Sequence, residues 1–435
     1  MNIQSLPGTP DLLDWHRLDP AAYPVLLESS AGEGWHILMA LPEWTRLYSA
    51  ASIHLLDRDL RDLPLDHNAV APAAADLPFR SGWFLYLGYE YLHTIEPSVQ
   101  ARPSADGFPL AALMQVPAAI VQHAGNGNTW LLAQEKHQMR RLQQDSRRLT
   151  MVASDGLPAL QLDEEAAETF LEGVASIRDY IRAGDVFQVN LSRRWQGVAE
   201  QAIDPASLRR RLRQANPAPF AGLARLDAQH AIVSSSPERL FSIQDGKVST
   251  RPIAGTHPRL ADAEADHQQR ETLRMHPKER AEHIMLVDLE RNDLGRVCVP
   301  GSVHVEELMG ISSYAWVHHI ESVVSGRLRA QLHPADVVRA LFPGGTITGC
   351  PKVRTMQIIR ELETTPRHAY TGSMGYINRN GDMDLNILIR SMMLAGNALT
   401  FSAGAGIVAD SDPHRELQET RAKARGLLRA LENVS

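Results

Sequence analysis

The sequence predicts an α+β fold with mainly antiparallel sheets. Strand-like runs come as hairpins and do not alternate regularly with helices. The clearest pair is Ala118-Ala-Ile-Val121 and Thr129-Trp-Leu-Leu-Ala133, either side of the turn Gln122-His-Ala-Gly-Asn-Gly-Asn128. Helices are marked separately by apolar residues at three- and four-residue spacing. At 435 residues, with 44% hydrophobic and 22% charged residues, the chain is long enough to bury a large core and has ordinary globular composition.

In order, the first hundred residues give short strands at Pro24 to Glu28, His36 to Ala40 and Gly82 to Tyr91. A polar helix follows the hairpin, from about Gln138 to Leu149. The segment Val152 to Asp163 contains Gly156 and Pro158 and lacks periodicity, so it reads as a linker between an N-terminal region, 1–155, and a second region, 156–435. Asp163 is placed to cap a helix carrying Phe170, Leu171, Val174, Ile177 and Ile181, closed by Gly184. Then come a strand from Val186 to Leu191, a helix from Asp204-Pro205 to Gln214, and strands at Ala231 to Val233 and Phe241 to Ile243. After a helix at Pro334 to Phe342, strands at Ala369 to Ile377, Met383 to Met392 and Ala398 to Ala403 precede a closing helix with Asp412 as cap and Pro413 at its first position.

Composition excludes several classes. No apolar run reaches the roughly 18 residues of a membrane span, and the N-terminus has neither the basic start nor the apolar core of a signal peptide. Cys298 and Cys350 are the only cysteines, too few for a disulfide framework, so a cytoplasmic location is expected. Net charge is −7, from 44 basic and 51 acidic residues, with no like-charge block of the kind that binds nucleic acid. Arg209-Arg210-Arg211 and Arg140-Arg141 fall in amphipathic patterns and read as solvated helix faces.

The most informative stretch is Lys278 to Gly295. It reads as a helix with Met285, Leu286 and Leu289 toward the core and Gly295 as C-terminal cap. Glu279 and Glu282 share a face three residues apart, which makes them a Mg²⁺ pair, an acid/base pair or a solvated face. The closing helix repeats the pattern with Glu416, Glu419 and Lys423, whose plain reading is a Glu419–Lys423 helix pair. Two motifs are decoys. Gly344 to Lys352 has phosphate-loop glycine spacing, but Cys350 stands where lysine is needed. Gly404-Ala-Gly406-Ile-Val-Ala409 matches a dinucleotide fingerprint but leaves no room for its helix before the turn Asp410-Ser-Asp-Pro413. Its two glycines still expose backbone N–H groups suited to a carboxylate.

Taken in order, Ser234-Ser-Ser-Pro-Glu238, Arg251-Pro-Ile-Ala-Gly-Thr256, Lys278 to Gly295, Val317-His-His-Ile-Glu-Ser322, Phe342 to Lys352, Tyr370-Thr-Gly-Ser-Met-Gly-Tyr376 and Ser402 to Asp410 resemble the motifs of the chorismate-utilising enzymes. The resemblance covers roughly residues 163–430. It implies two large, mainly antiparallel sheets packed as a sandwich with helices outside, the N-terminal region contributing strands to that body. It also implies that Glu282 and Glu419 hold Mg²⁺ against the ring carboxylate with Glu416 and Glu279 nearby. Gly255, Tyr376, Arg390, Gly404, Gly406 and Lys423 would surround the substrate carboxylates, and His319, Glu279, Thr256 and Lys352 would form the catalytic set. His319 would protonate the departing C4 hydroxyl or assist a later elimination; its plain reading is a core histidine. Leu27, Glu28 and Ser29, within Leu26-Leu-Glu-Ser29, resemble the family's tryptophan-binding element.

Water-using members of the family carry a lysine base where this chain has Gln188, which cannot take a proton from water, so ammonia is the expected nucleophile. The chain has no cysteine in a glutaminase setting. The resemblance therefore implies a hetero-complex with a glutamine amidotransferase subunit that supplies ammonia. Phe342 to Lys352 and Gln188-Val-Asn190-Leu191 resemble the members that aminate chorismate at C4 for 4-aminobenzoate and folate synthesis. Ala254 departs from them, because it stands where they carry a lysine thought to attack C2. Anthranilate and pyruvate formation is the alternative, and a non-catalytic metabolite-binding regulator is a third.

Overall fold

The computed structural model describes residues 1–30, 32–66, 76–102, 106–149, 156–313 and 317–432, without the side chains of Thr256 and Lys278. Two sheets dominate, and every strand pairing in them is antiparallel. In the twelve-stranded sheet the hydrogen-bonded order is Asn2–Leu6, Thr129–Ala133, Ala118–His123, Trp35–Ala40, Val25–Glu28, Phe220–Arg225, His230–Ser236, Ser391–Ala395, Ala398–Ile407, Gln188–Ala199 and Gly349–Cys350. Leu160–Glu164 adds to Gln188–Ala199. The ten-stranded sheet runs Ile253–Pro258, Val317–Arg327, Lys247–Thr250, Arg239–Gln244, Met383–Asn386, Ser373–Asn378, Gly82–Leu87, Ala111–Val116 and Trp44–Tyr48, with His304–Ser313 paired to Val317–Arg327. Strands from both sides of residue 155 are hydrogen-bonded into both sheets; residues 152–155 of the expected linker lie outside the described residues.

Pleating puts alternate side chains on opposite faces, and this builds the layers. Val25, Ile37 and Met39 of the larger sheet meet Phe84, Met114 and Met374 of the smaller in a core between them. On its outer face the larger sheet lies under helices. Leu38 and Ile120 pack with Trp15 and Leu142 of the Leu12–Leu18 and Lys136–Ser146 helices. Trp195 and Phe401, stacked at 5.3 Å, pack with Leu212 and Leu427 of the Pro205–Ala215 and Pro413–Leu431 helices. This is the α+β sandwich with outer helices that was expected. Among the described residues no helix is long and apolar enough to cross a membrane.

Several boundaries differ from expectation. Asp163 caps nothing: it lies in the Leu160–Glu164 strand, whose alternating residues pair with the last half of Gln188–Ala199, and the helix starts at Ala167. Gly184, at φ +83, closes that helix as expected. Met383 to Met392 is two strands, broken between Asn386 and Ser391 where Arg390 takes φ +51. Gly295 lies within the last turn of its helix, and Arg296 is the C-cap in ordinary helical geometry.

Strand parity also decides the Leu26-Leu-Glu-Ser29 element. Leu27 packs toward the core between the sheets, while Glu28 turns to the outer face, under the Pro205–Ala215 helix. There its carboxylate accepts from Arg209 Nε at 2.7 Å and from an Arg213 terminal nitrogen at 2.7 Å. Arg209 is wholly buried, so Glu28 balances a charge that has no access to water. Glu28→Ala is expected to cost about 3–5 kcal/mol in urea unfolding, because it strands a buried guanidinium. A loss below about 1 kcal/mol would remove Glu28 from this structural role.

Candidate active site

The Pro277–Gly295 helix starts at His276, whose ring accepts from the Glu279 N–H at 3.4 Å, with Pro277 in its first turn. Its buried side carries more than the expected apolar stripe. Leu286, Val287 and Leu294 are joined there by His283, Glu290 and Asp293, whereas Met285 and Leu289 are only half-buried. Asp293 accepts from Lys352 Nζ at 2.5 Å. Lys352 is thus tied into an internal ion pair at the start of the Lys352–Leu362 helix. Beside it, burial and then the Asp293 charge push Glu290 up to about 7.

Glu238 is the most perturbed acid of this group. The His230–Ser236 strand ends just before Pro237, and the next residue carries its carboxyl inward, where it accepts from the Thr346 hydroxyl at 2.6 Å. Burial, reinforced by the nearby Glu290 and Glu321 carboxylates, raises it to about 8, against the opposing effects of Thr346 and Arg390. A carboxyl with that value carries its proton at neutral pH and can donate it. Arg390 sits across from it on the left-handed residue between two strands. Its charge is disfavoured by burial, and no hydrogen bond from its guanidinium is found among the described residues. A cation so placed is a ready receptor for a carboxylate.

His319 is buried on Val317–Arg327, its Nδ1 at 3.1 Å from the Gly255 carbonyl oxygen. Burial, then the charges of Arg390 and Lys423, take it down to about 3, so the ring is neutral. A neutral imidazole is a weaker acid than a protonated carboxyl such as Glu238. Gly255, at φ +62, lies against the first turn of the Pro277–Gly295 helix. A side chain there would come within 2.9 Å of a Glu279 carboxylate oxygen. Thr256 is in the same strand, but its side chain lies outside the described residues.

Gly404 and Gly406 are within the Ala398–Ile407 strand, opposite Ser192 and Asn190. A Cβ at Gly404 would stand 2.7 Å from both the Asn190 amide oxygen and the Tyr370 hydroxyl, so the bare backbone leaves the space that these groups face. Lys423 donates to the Gly404 carbonyl oxygen at 3.0 Å and pairs with Glu419 at 2.7 Å. Tyr376 is elsewhere. Its ring packs edge-on to Phe79 at 5.4 Å in the core between the sheets, with Asp384 and Arg239 as its charged neighbours. Tyr370 takes the position beside the glycines that was expected of Tyr376.

Glu279 and Glu282 stand one turn apart on one helix, as do Glu416 and Glu419 on the other. Among the described residues, no group of three acidic, histidine or cysteine side chains converges on a single ion position. Each pair offers only oxygen donors, the kind that Mg²⁺ takes, and Gly255 brings bare backbone against Glu279. Sequence reasoning passed over Glu238, Glu290 and Tyr370. All three lie inside quoted motifs, and a carboxylate following a proline at a strand end was the available signal for Glu238.

A family model described as chorismate binding enzyme matches residues 23–429. The chain is 38% identical over 448 residues to aminodeoxychorismate synthase component 1 of Klebsiella aerogenes, covering 99% of this chain and 98% of that one. It is 41% identical over 374 residues to an anthranilate synthase component I-like protein of Synechocystis, covering 85% and 76%. The solved anthranilate synthase component I of Streptococcus pneumoniae superposes with a TM-score of 0.79 at 31% identity, covering 90% of this chain and 92% of that one. With these motifs in one sandwich and this much of the chain matched, the protein belongs to the chorismate binding enzyme family.

Proposed function

We propose that the protein aminates chorismate to 4-amino-4-deoxychorismate, feeding 4-aminobenzoate and folate synthesis, with ammonia from a glutamine amidotransferase subunit. The observation that carries this reading is the pairing of a protonated acid, Glu238, with an amide, Gln188, where water-using relatives need a base. Chorismate is a dianion. Arg390 would take one carboxylate, and Lys423, Tyr370 and the backbone at Gly404 and Gly406 would frame the substrate. Glu282 and Glu419, with Glu279 and Glu416, would hold Mg²⁺, which supplies positive charge to the ring carboxylate when bound. Glu238 gives its proton to the C4 oxygen as the C–O bond breaks and water leaves. Ammonia forms the C4–N bond and returns a proton to the Glu238 carboxylate, so no separate base is consumed.

Ala254 favours a second reading. It has no amine to attack C2, so the lysine-linked route is closed, and ammonia either adds at C4 directly or enters at C2 to give anthranilate and pyruvate. The near full-length match to the Klebsiella protein supports the first. The test is product analysis with chorismate, Mg²⁺ and ammonium. 4-Aminobenzoate should form only when aminodeoxychorismate lyase is added, with no anthranilate, and chelating Mg²⁺ should stop it. Anthranilate and pyruvate without the lyase would assign the second reading.

Because Glu238 must be protonated to act, turnover should fall as pH rises through about 8. Glu238→Gln should lower kcat by about 10²–10⁴-fold, leave chorismate KM nearly unchanged and abolish that alkaline limb. A variant retaining wild-type kcat would show that the proton comes from elsewhere.

A further inference from the structure

The turn that presents Tyr370 is held in an uncommon backbone. His368 and Thr371, on either side of it, take φ +50 and φ +59, the left-handed region that residues other than glycine rarely adopt. Such residues persist only where their surroundings over-determine them. Here the buried Glu90 supplies much of the constraint. One of its carboxylate oxygens accepts from the Arg367 N–H at 2.8 Å and the other from the His368 N–H at 3.0 Å. The His368 carbonyl oxygen accepts from the Tyr89 N–H at 2.7 Å, and the Thr371 N–H donates to the Leu388 carbonyl oxygen at 2.8 Å.

The Arg367 side chain is committed to the same place. Its guanidinium is buried, and all the N–H groups of the fork are used. Nε and one terminal nitrogen donate to the two Glu363 oxygens at 2.8 and 2.6 Å, and that terminal nitrogen also donates to the Asn190 carbonyl oxygen at 2.8 Å. The other donates to the Ile347 carbonyl oxygen at 3.2 Å and to the Thr371 hydroxyl at 3.3 Å. The group lies over the Tyr89 ring at 4.7 Å and the Tyr370 ring at 5.6 Å. Glu363 reaches on to the strand of Asn190, where it accepts from the Ser192 N–H at 2.9 Å and from its hydroxyl at 2.8 Å. One fork thus joins the Gln188–Ala199 strand to the Tyr370 turn. A buried ion pair adds little stability over well-packed apolar side chains, and its best-attested use is to fix register.

We propose that Arg367, with Glu90 holding its backbone, is the positioning residue that sets Tyr370 and Asn190 against the space beside Gly404. The proposal rests on the reading given above that chorismate is framed there. The Asn190 amide oxygen has no hydrogen-bond partner among the described residues, and it and the Tyr370 hydroxyl each stand 2.7 Å from where a Cβ of Gly404 would be. Arg367 bonds to neither of these polar atoms; it acts on the carbonyl of one residue and the ring of the other. Lysine would keep a positive charge opposite Glu363, but its three donors share one nitrogen and cannot span Glu363, Asn190, Ile347 and Thr371 together. A misplacement of about 1 Å in groups that orient a substrate is enough to cost about 10²-fold in rate.

The test combines two variants. Arg367→Lys, folded by circular dichroism, should lower kcat/KM for chorismate by about 10²-fold while ammonium KM stays within about 2-fold of wild type. In a Tyr370→Phe background the same change should cost at least about 5-fold less, because one of the groups it positions is already gone. Wild-type kcat/KM in Arg367→Lys, or equal losses in the two backgrounds, would overturn the proposal. Glu90→Gln leaves the guanidinium in place and replaces one of the two acceptors on the turn. It should show the same coupling to Tyr370→Phe at a smaller loss, and it decides the matter if the lysine variant does not fold. A crystal structure of the variant gives a readout independent of turnover: the Tyr370 hydroxyl should move from Gly404 by more than about 1 Å, and a hydroxyl left in place would overturn the positioning role. If the wild-type protein forms no aminated product, the functional reading falls, and the place of that hydroxyl alone decides this one.

Discussion

The site depends on keeping one half-buried guanidinium without a carboxylate partner. A charge taken out of water normally finds a counter-ion or loses its charge. Arg390 does neither, because its nearest acid, Glu238, is held protonated by burial and by the Glu290 and Glu321 carboxylates behind it. If Glu238 were ionised it would pair with Arg390 and close the receptor. In the proposed reaction the acid cluster would keep a cation open for a dianionic substrate and a proton available for its leaving group.

This arrangement needs both sheets. Glu238 and Arg390 come from the ends of strands in the larger sheet, His319 from the smaller, and Glu279 from the helix lying against Gly255. Lys352, held on Asp293, fixes the Lys352–Leu362 helix to the Pro277–Gly295 helix, so the acid cluster is braced by an internal ion pair. Gly404 keeps the larger sheet bare beside Asn190 and Tyr370, and Gly406 beside Gln188.

Much of this was legible in the sequence because it is periodic. The hairpin at 118–133, the helices capped by Asp204 and Asp412, and the two Glu-x-x-Glu faces follow from spacing and end signals. The Gln188–Ala199 strand was half seen, since Arg193, Arg194 and Gln196 interrupt its apolar residues. Tyr376 was placed wrongly because motif membership does not fix which way a residue points. Ser373–Asn378 sends that ring into the core, while Tyr370, before the strand, reaches the glycines. The raised value of Glu238 was not readable for a different reason. It is made by burial and by the Glu290 and Glu321 carboxylates from two other segments, and no local pattern records that convergence.

The most direct measurement is a crystal structure with chorismate and Mg²⁺ bound. The account predicts one substrate carboxylate on the Arg390 guanidinium, the ring beside Tyr370 and the Gly404–Gly406 backbone, and the C4 oxygen within hydrogen-bonding reach of Glu238. A ligand whose carboxylates avoid Arg390, or whose C4 oxygen faces His319 with Glu238 turned away, would contradict it.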